Sequence, residues 1–356
     1  MGVYALKKIK IAQIGTSGNS HGNKIWQCMK KQSDIFEIVG YAFPEGEREK
    51  FPDKAAEFDG YKEMTVEEIL SNPEIEAVTV ETEEIYLTKY ALMAAKAGKH
   101  IHMEKPGGTD LALFEELIET VKNKSLTFSI GYMYRFNPKI NEVFEKVKNG
   151  ELGEIYSVEA HMDCKHHRNV RRFLEAFPGG MLFFLGCHLI DLIYRIQGQP
   201  LEVLPLSCST HDEGIEANDY GMVAFKYKNG VSFAKTCANE CGGFLRRQLV
   251  VCGTKGTIEI NPLEICIPEG QYSVMKETKF SEWADEEGIS DVESLRRYYY
   301  LWDIDGETSQ SPIYDRYEDM MESFAERVRG KKEEVYTYDY ELNLYKLLLK
   351  SCGKEI

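Results

Sequence analysis

The stretch IKIAQIGTSGNSHG, residues 9–22, decides the fold of the amino-terminal half. Its first six residues form a short apolar strand, and glycines follow at positions 15, 18 and 22. Helical spacing then appears at Ile25, Trp26 and Met29. A strand, a glycine turn and a helix in this order place backbone N–H groups where they can bind a pyrophosphate. The stretch therefore predicts a dinucleotide-binding turn, although Ser17 stands where G-x-G-x-x-G has a glycine.

The alternation of strand and helix continues to about residue 131. Apolar runs predict strands, which we place at residues 9–14, 36–43, 77–80, 100–103 and 126–130. Helical spacing predicts helices at 66–70, 86–97 and 109–122, the second of them followed by Gly98, a typical helix-ending glycine. Taking the run at 126–130 as a sixth strand, one more than the ranges placed here, we predict an α/β domain over residues 1–131, a Rossmann fold with a doubly wound parallel sheet.

The end of the second strand bears on the choice of cofactor. In NAD-binding folds an acidic residue at this point binds the ribose diol, whereas an arginine accommodates the extra phosphate of NADP. By spacing the place belongs to Phe43, with Glu45 two residues beyond and Arg48 as the nearest arginine. The sequence leaves both NAD and NADP open.

Residues 98–107, GKHIHMEKPG, place Glu104, Lys105 and Pro106 directly after a predicted buried strand. The carboxyl ends of parallel strands are where open α/β sheets bind ligands. A buried lysine loses solvation, so its proton is more easily given up or shared with a substrate hydroxyl. Lys105 is therefore a candidate catalytic residue, and a surface turn is the alternative interpretation.

The pattern changes in the second half of the chain. Alternating apolar and polar residues predict strands at 155–161, 220–227, 231–237, 247–252 and 257–260, joined by glycine-containing turns. We predict that residues 132–356 form an α+β domain with a large, mostly antiparallel open sheet. Helices would cover one face of this sheet, and the other face would be left for a second subunit.

An apolar helix between the first two of these strands carries the second candidate. Helical spacing over residues 181–195 predicts that Phe184, His188, Asp191 and Arg195 share one stripe. A carboxylate one turn away can set the tautomer and the pKa of a histidine, so His188 could act as a general base. A core histidine with a structural hydrogen bond is the alternative.

Composition excludes several classes of partner. The chain carries 58 acidic and 43 basic residues, a net charge of −15 that disfavours binding to nucleic acid or an anionic membrane. No apolar run reaches the roughly 20 residues that span a bilayer, and residues 1–10 lack the apolar core of a secretory signal. Nine cysteines without Cys-x-x-Cys spacing indicate thiols in a reducing cytoplasm.

Taken in order, these motifs resemble the Gfo/Idh/MocA oxidoreductases, the family of glucose–fructose oxidoreductase and inositol dehydrogenase. The resemblance is carried by residues 15–22, 97–106, 131–138, 179–191, 253–256 and 324–330. It implies a Rossmann domain that binds NAD or NADP and an NAD(P)-dependent dehydrogenase that acts on a hydroxyl group of a sugar, polyol or cyclitol. It also implies a homodimer or homotetramer built through the carboxy-terminal sheet, with the carboxy-terminal helix packed back on the first domain.

The resemblance assigns roles to individual residues. Lys105 would contact the nicotinamide and the substrate hydroxyl, His188 would be the general base, and Asp191 would act on His188. The expected cofactor-binding residues are Gly15, Thr16, Ser17, Gly18, Asn19, Phe43, Glu45, Thr82, Glu104, Lys105, Pro106 and Arg135. The expected substrate-binding residues are Lys105, Tyr134, His166, His167, Arg168, Phe184 and His188.

Three departures from the family pattern keep two other functions open. Phe184 replaces an aspartate that often precedes the histidine by four residues, Ser17 replaces a glycine, and Glu83 replaces the proline of a Thr-Pro pair. A nucleotide-binding regulatory protein that has lost catalysis is the first alternative. The second is an enzyme that keeps NAD tightly bound for redox-assisted glycoside cleavage or epimerisation.

Other clusters carry weaker expectations. The group formed by His161, Asp163, Cys164, His166 and His167 contains metal-ligating residue types, but its spacing matches no metal motif, so we expect no metal. The neighbouring Arg168, Arg171 and Arg172 could bind an anionic substrate or form a solvated face. An acidic stretch at 282–293 is expected to be an exposed loop, and the aromatic residues 298–300 and 302 are expected at a subunit contact or over the site.

Overall fold

The computed structural model describes residues 7–279, 307–333 and 335–356, which form two compact units. The first unit comprises residues 1–133 and 316–346, and the second comprises residues 134–315 and 347–356. The expectations for residues 282–293 and 298–302 lie outside the described residues. None of the described helices is long and apolar enough to cross a membrane.

The first unit contains a parallel sheet whose strand order, β2-β1-β3-β4-β5, is that of a doubly wound fold. The predicted fold class is confirmed, but the count of six strands is wrong, since the described residues form five. The strands are β1 Ile9–Ile14, β2 Phe36–Ala42, β3 Ala77–Val80, β4 His100–Met103 and β5 Phe128–Ile130. The helices are α1 Gly22–Lys31, α2 Glu47–Lys50, α3 Pro52–Ala55, α4 Val66–Ser71, α5 Leu87–Lys96 and α6 Leu111–Asn123.

Local sequence explains where these helices begin and end. Thr65 and Glu68 form a capping box at the start of α4, and the Asp110 side chain accepts a hydrogen bond from the Leu113 amide at the start of α6. Gly98 follows α5 with a φ of 78°, a left-handed conformation that glycine adopts without strain. The last residues of β3 and β4 are buried, so that the carboxyl ends of these strands lie under the following turns.

Two late helices complete the first unit, α11 Glu318–Val328 and the larger part of α12 Tyr338–Ser351. The Lys31 ammonium lies 3.0 Å from the Glu318 carboxylate. The Tyr345 ring stacks on Phe114 with centroids 4.0 Å apart, and the Tyr345 hydroxyl donates to the Gly108 carbonyl oxygen at 2.7 Å. The Tyr345 hydroxyl thereby holds the turn that follows the Glu-Lys-Pro segment.

The second unit contains an eight-stranded sheet of order β15-β14-β11-β10-β6-β9-β8-β7. Only the β6–β9 pairing is parallel, which confirms the mostly antiparallel sheet. Its strands are β6 Ile155–His161, β7 Glu202–Cys208, β8 Tyr220–Tyr227, β9 Gly230–Cys237, β10 Gln248–Gly253, β11 Gly256–Ile260, β14 Val274–Lys279 and β15 Glu307–Gln310, with a separate hairpin of β12 Ile265–Ile267 and β13 Gly270–Tyr272. Its helices, besides the end of α12, are α7 Pro138–Lys148, α8 Arg168–Phe173, α9 Met181–Phe184 and α10 Gly186–Gln197.

The predicted stripe of helical residues is interrupted. The helix breaks at Leu185, so Phe184 ends α9 whereas His188 and Asp191 belong to α10. Close packing favours glycine directly after the break, because a Cβ at Gly186 would lie only 3.0 Å from the Leu182 side chain. α10 packs on β6 and β9 and buries all of its first eight residues.

Candidate functional site

The glycine turn after β1 is held against the end of β3. Gly15 has a φ of 94°, and a Cβ at this position would lie 2.5 Å from the Thr82 amide nitrogen. Only glycine permits this approach, which brings together two predicted cofactor-binding residues. The Ser17 amide donates to the Glu81 carbonyl oxygen at 3.0 Å, and the Asn19 amide donates to the Ser17 hydroxyl at 3.2 Å.

A carboxylate that the sequence analysis missed lies in this turn. The Glu47 Oε2 atom accepts from the Thr16 amide at 3.0 Å, and its Oε1 atom accepts from the Glu83 amide at 3.3 Å. Burial raises the pKa of Glu47 to about 7. Backbone N–H groups at this edge of the sheet therefore bind an anionic group, which is what a dinucleotide diphosphate requires. On this observation the residues present fit the dinucleotide that the fold implies.

A cavity of about 530 Å³ lies beyond the end of β2, where the ribose of the adenosine half is expected. It is lined by Phe43 and Glu45 together with Glu63, Glu67, Lys89 and Tyr90. The Glu45 carboxylate accepts from the Lys89 ammonium at 2.6 Å and from the Tyr90 hydroxyl at 2.7 Å, which lowers its pKa. Arg48 is engaged elsewhere, since its guanidinium donates to Glu63 at 2.7 Å and to the Tyr41 hydroxyl at 2.9 Å.

Lys105 lies directly after β4, as predicted, and its side chain is only 1% exposed. Its ammonium is 3.6 Å from the Glu104 carboxylate, which in turn lies 3.3 Å from the ring of His21. Burial opposes the ionisation of Glu104, but the neighbouring His21 and Lys105 outweigh burial and hold its pKa below the ordinary value. The cis peptide bond between Lys105 and Pro106 belongs to this turn.

Two further buried carboxyl groups surround this turn, and neither belongs to the residues expected to bind the cofactor or the substrate. Glu81 and Glu84 follow β3, and neither carboxyl group has a hydrogen-bond partner. Burial, followed by the charge of Glu104, raises the pKa of Glu81 well above its ordinary value. Burial also raises the pKa of Glu84 to about 7, against the attraction of Lys105. Protonated carboxyl groups of this kind can donate and accept hydrogen bonds with the hydroxyl groups of a ligand.

In the second unit the predicted residues form two buried contacts. The Arg135 guanidinium donates to both Asp191 carboxylate oxygens, with its Nε 3.0 Å from Oδ2 and its Nη2 2.8 Å from Oδ1. The Tyr134 ring meets the His188 ring edge-on with centroids 5.4 Å apart, and the Tyr134 hydroxyl donates to Glu264 at 3.2 Å. The helix α10 thus carries an aspartate, Asp191, that pairs with Arg135, and a buried histidine, His188, whose ring contacts Tyr134.

The loop between β6 and α9 brings fewer of the predicted residues together. The His166 ring lies 6.4 Å from that of Phe184, which stacks on Phe177 with centroids 6.2 Å apart. His167 and Arg168 are exposed, and the Arg168 guanidinium donates to a backbone carbonyl oxygen at 3.1 Å.

Arg171 does not fit the suggested role as an anion ligand. Its buried guanidinium contacts three acidic side chains at 2.9 to 3.2 Å: Asp212, Glu213 and Asp219. Three carboxylates already compensate its charge, so it ties the loop to its neighbours instead. In residues 7–279, 307–333 and 335–356 there is no group of three His, Cys, Asp or Glu side chains that could hold a metal ion.

Comparison with known families adds to this geometry. The model of an oxidoreductase family with an NAD-binding Rossmann fold matches residues 9–132, and that of a GFO/IDH/MocA C-terminal domain matches residues 140–259. The two matches follow one another along the chain and cover the parallel sheet and most of the eight-stranded sheet, whose strands β14 and β15 lie beyond residue 259.

Individual relatives are also oxidoreductases. An uncharacterized oxidoreductase, YhhX of Escherichia coli, is 33% identical over 38% of the chain, and trans-1,2-dihydrobenzene-1,2-diol dehydrogenase of Xenopus tropicalis is 24% identical over 60%. The aligned segments cover 39% and 64% of these two relatives, less than two thirds of either.

Solved structures show the same fold across the whole chain. A 3-ketoreductase from Actinomadura kijaniata, in complex with NADP and TDP-benzene, has a TM-score of 0.74 at 16% identity and matches 96% of each chain. An oxidoreductase from Thermotoga maritima has a TM-score of 0.74 at 17% identity, over 98% of this chain and 96% of the other. At this level of identity the similarity concerns the fold.

Proposed function

The chain belongs to the Gfo/Idh/MocA family of NAD(P)-binding oxidoreductases, and from this premise we propose a dehydrogenase that oxidises a hydroxyl carbon of a sugar, polyol or cyclitol-like compound. The observation that carries the proposal is the buried Lys105 at the carboxyl end of β4, in the same unit as a glycine turn that binds an anionic group. A buried ammonium suits proton exchange with a ligand better than a solvated surface position does.

The proposed chemistry divides between two residues. When bound, NAD or NADP would accept a hydride at the nicotinamide. His188 would take the proton of the reacting hydroxyl, and Lys105 would donate a hydrogen bond to a substrate oxygen and stabilise its developing charge. Tyr134 would hold the His188 ring through the edge-on contact. Burial of both candidates keeps water away from the groups that carry the proton.

The substrate class follows from the polar groups of the first unit. Glu81 and Glu84 leave four carboxyl oxygens without hydrogen-bond partners, and hydroxyl groups of a ligand would satisfy them. The dehydrogenase among the relatives is named for a cyclic vicinal diol, which supports a ring-borne hydroxyl as the reacting group. We further propose a cytoplasmic location, because nine cysteines suit a reducing compartment.

Titration of the purified protein with NADH and NADPH, followed by nucleotide fluorescence and calorimetry, tests the proposal. Binding of at least one of them, with turnover on a panel of cyclic polyols, is expected; absence of binding to both contradicts it. Cofactor that co-purifies without net turnover would favour the redox-assisted glycoside cleavage or epimerisation alternative. Weak binding with no turnover on any polyol would favour the regulatory alternative, for which the replacements at Ser17, Glu83 and Phe184 are the motivating features.

We expect the protein to prefer NADH to NADPH by about tenfold or more. The 2′-phosphate of NADP would enter the cavity beyond β2, which is lined by three carboxylates, those of Glu45, Glu63 and Glu67. The lysine in this lining, Lys89, is already paired with Glu45. One added repulsion of about 1.4 kcal/mol corresponds to a tenfold loss of affinity. Dissociation constants for the two nucleotides, measured by calorimetry, give the ratio directly.

Glu45→Gln should reduce the ratio of the NADPH and NADH dissociation constants several-fold, since it removes the carboxylate nearest the end of β2. Glu119→Gln is the matched control, because it removes one exposed charge from α6 in the same unit without touching the cavity. A wild-type protein that binds NADPH more tightly than NADH would show that the cavity does not select the cofactor as described.

We also propose that the protein forms a homodimer or homotetramer through the uncovered face of the eight-stranded sheet. Leu204 and Leu206 on β7 are 53% and 60% exposed and pair with Ala224 and Met222 on β8, so these side chains form one apolar surface. Leu206→Asp should shift the protein to monomers in light scattering with chromatography. Leu245→Asp, at another exposed leucine, should leave the assembly intact; a monomeric wild type would contradict the proposal.

A further inference from the structure

We infer that Glu47 occupies the position of the cofactor diphosphate in the ligand-free protein, and that binding of a dinucleotide expels its carboxylate. The inference rests on the proposed function, because it assumes that NAD or NADP binds at the glycine turn. It makes Glu47 a residue that determines affinity for the cofactor.

The first observation behind the inference is the position of the Glu47 carboxylate. Glu47 is 0% exposed, and its two oxygens accept from the amides of Thr16, after β1, and of Glu83, after β3. β1 lies between β2 and β3 in the sheet, so the carboxylate bridges the carboxyl ends of two neighbouring strands. In doubly wound folds the diphosphate uses backbone N–H groups at this edge, where the first strand meets its turn. The Glu47 carboxylate therefore occupies backbone N–H groups that the cofactor diphosphate needs.

The segment that carries Glu47 covers the rest of the turn as well. The ring of Phe51 lies against Gly18, where a Cβ would be only 2.8 Å from it. The Lys54 ammonium donates to the carbonyl oxygens of Ser17 and Ser20 at 2.8 and 3.1 Å. These contacts come from residues 47–54, so withdrawal of Glu47 involves the α2–α3 segment as a whole.

Charge determines the size of the effect. A carboxylate that accepts two backbone hydrogen bonds must be replaced before a diphosphate can accept them, and this exchange lowers the apparent affinity. In Glu47→Gln one of the two N–H groups faces an amide NH₂ instead of an acceptor, which weakens the internal contact. The variant should bind NADH about tenfold or more tightly than the wild type. The ligand-free variant should also melt at a lower temperature, because it retains fewer hydrogen bonds.

Proton release on NADH binding is an independent indication that the Glu47 carboxylate is expelled. The charged groups that face Glu47 are Glu83, which raises its pKa, and Lys50, which lowers it, while burial dominates and raises the value to about 7. An expelled carboxylate returns to its ordinary pKa of about 4.5. Binding of NADH below about pH 7 should therefore release protons, and the affinity of the wild type should fall as the pH is lowered. A carboxylate that stayed beside the diphosphate would instead take up protons.

The experiment measures NADH and ADP binding by calorimetry at about pH 8 and about pH 6, in two buffers of different ionisation enthalpy, for wild type, Glu47→Gln and Glu49→Gln. Glu49 is the matched control, since it lies on the same helix but is exposed. We expect tighter binding and loss of proton release in Glu47→Gln only. ADP should show the same order of affinities, because it also carries a diphosphate, whereas proton release is read from NADH alone, whose diphosphate lacks the terminal phosphate that titrates at about pH 6 in ADP.

The possible results of this experiment distinguish a failure of the inference about Glu47 from a failure of the proposed function. Equal NADH affinity in all three proteins, or proton uptake by the wild type, overturns the inference and leaves the proposed function standing. Binding to Glu47→Gln but not to wild type supports the inference in its strongest form. Failure of all three proteins to bind NADH and ADP overturns both. Should Glu47→Gln not fold, the sign of proton exchange in the wild type still decides.

Discussion

Replacing Lys105 by methionine, or His188 by glutamine, is expected to lower kcat by about 10²-fold or more, the scale of a general acid–base contribution. Both substitutions keep much of the side-chain volume, which matters because the two residues are almost completely buried. Methionine lacks the ammonium that would stabilise the substrate oxygen, and glutamine cannot accept and release the proton at neutral pH. The measurement is kcat on the best substrate of the polyol panel, with melting temperature recorded on the same preparations.

Two controls separate chemistry from folding. Lys99→Met, at a buried lysine that donates to the Asn72 and Ile75 carbonyl oxygens before β4, should alter stability and leave kcat near the wild-type value. Lys105→Arg keeps the charge, but its guanidinium does not give up a proton, so its residual activity shows whether charge alone suffices. A His188→Gln protein with a lowered melting temperature and full activity per folded molecule would show that His188 is a structural core residue.

The parallel sheet could be predicted because its strands are short, largely apolar runs, three of which end at Gly15, at the Glu-Lys-Pro turn and at Gly131. Lys105 was found for the same reason, since its place depends only on the strand before it. β7 was missed because Pro205 interrupts its run. The structure places β7 at the edge of the sheet, where a proline is tolerated because one side of the strand needs no partner.

The parts of the site that were not predicted depend on contacts distant in sequence. Helical spacing paired Asp191 with His188, but the structure shows Arg135, 56 residues earlier, donating to the Asp191 carboxylate. Arg135 was expected to bind the cofactor, and its guanidinium is engaged by that aspartate. Glu47 stands in a charged run typical of a solvated helix face, and only the fold turns it inward. Single-sequence patterns report neighbours along an element, not the partners of buried charges.

Breaking the buried ion pair is expected to have the largest effect on stability. Asp191→Asn should lower the free energy of unfolding by about 3–5 kcal/mol, because it breaks a buried ion pair by removing the carboxylate charge that faces the Arg135 guanidinium. Chemical denaturation of the wild type and the variant, followed by tryptophan fluorescence and circular dichroism, measures the difference. The double variant Arg135→Met, Asp191→Leu should recover much of the loss, since apolar side chains of similar size can replace a buried pair.

Asp212→Asn is the control for this prediction, because Asp212 also pairs with an arginine but its side chain is 46% exposed. Solvent screens an exposed ion pair, so this variant should unfold nearly like the wild type. The competing hypothesis is that Asp191 acts mainly on His188. In that case Asp191→Asn would shift the pH profile of kcat and leave the unfolding free energy almost unchanged. The two readouts on one variant therefore distinguish a carboxylate that holds the second unit together from one that tunes the proposed base.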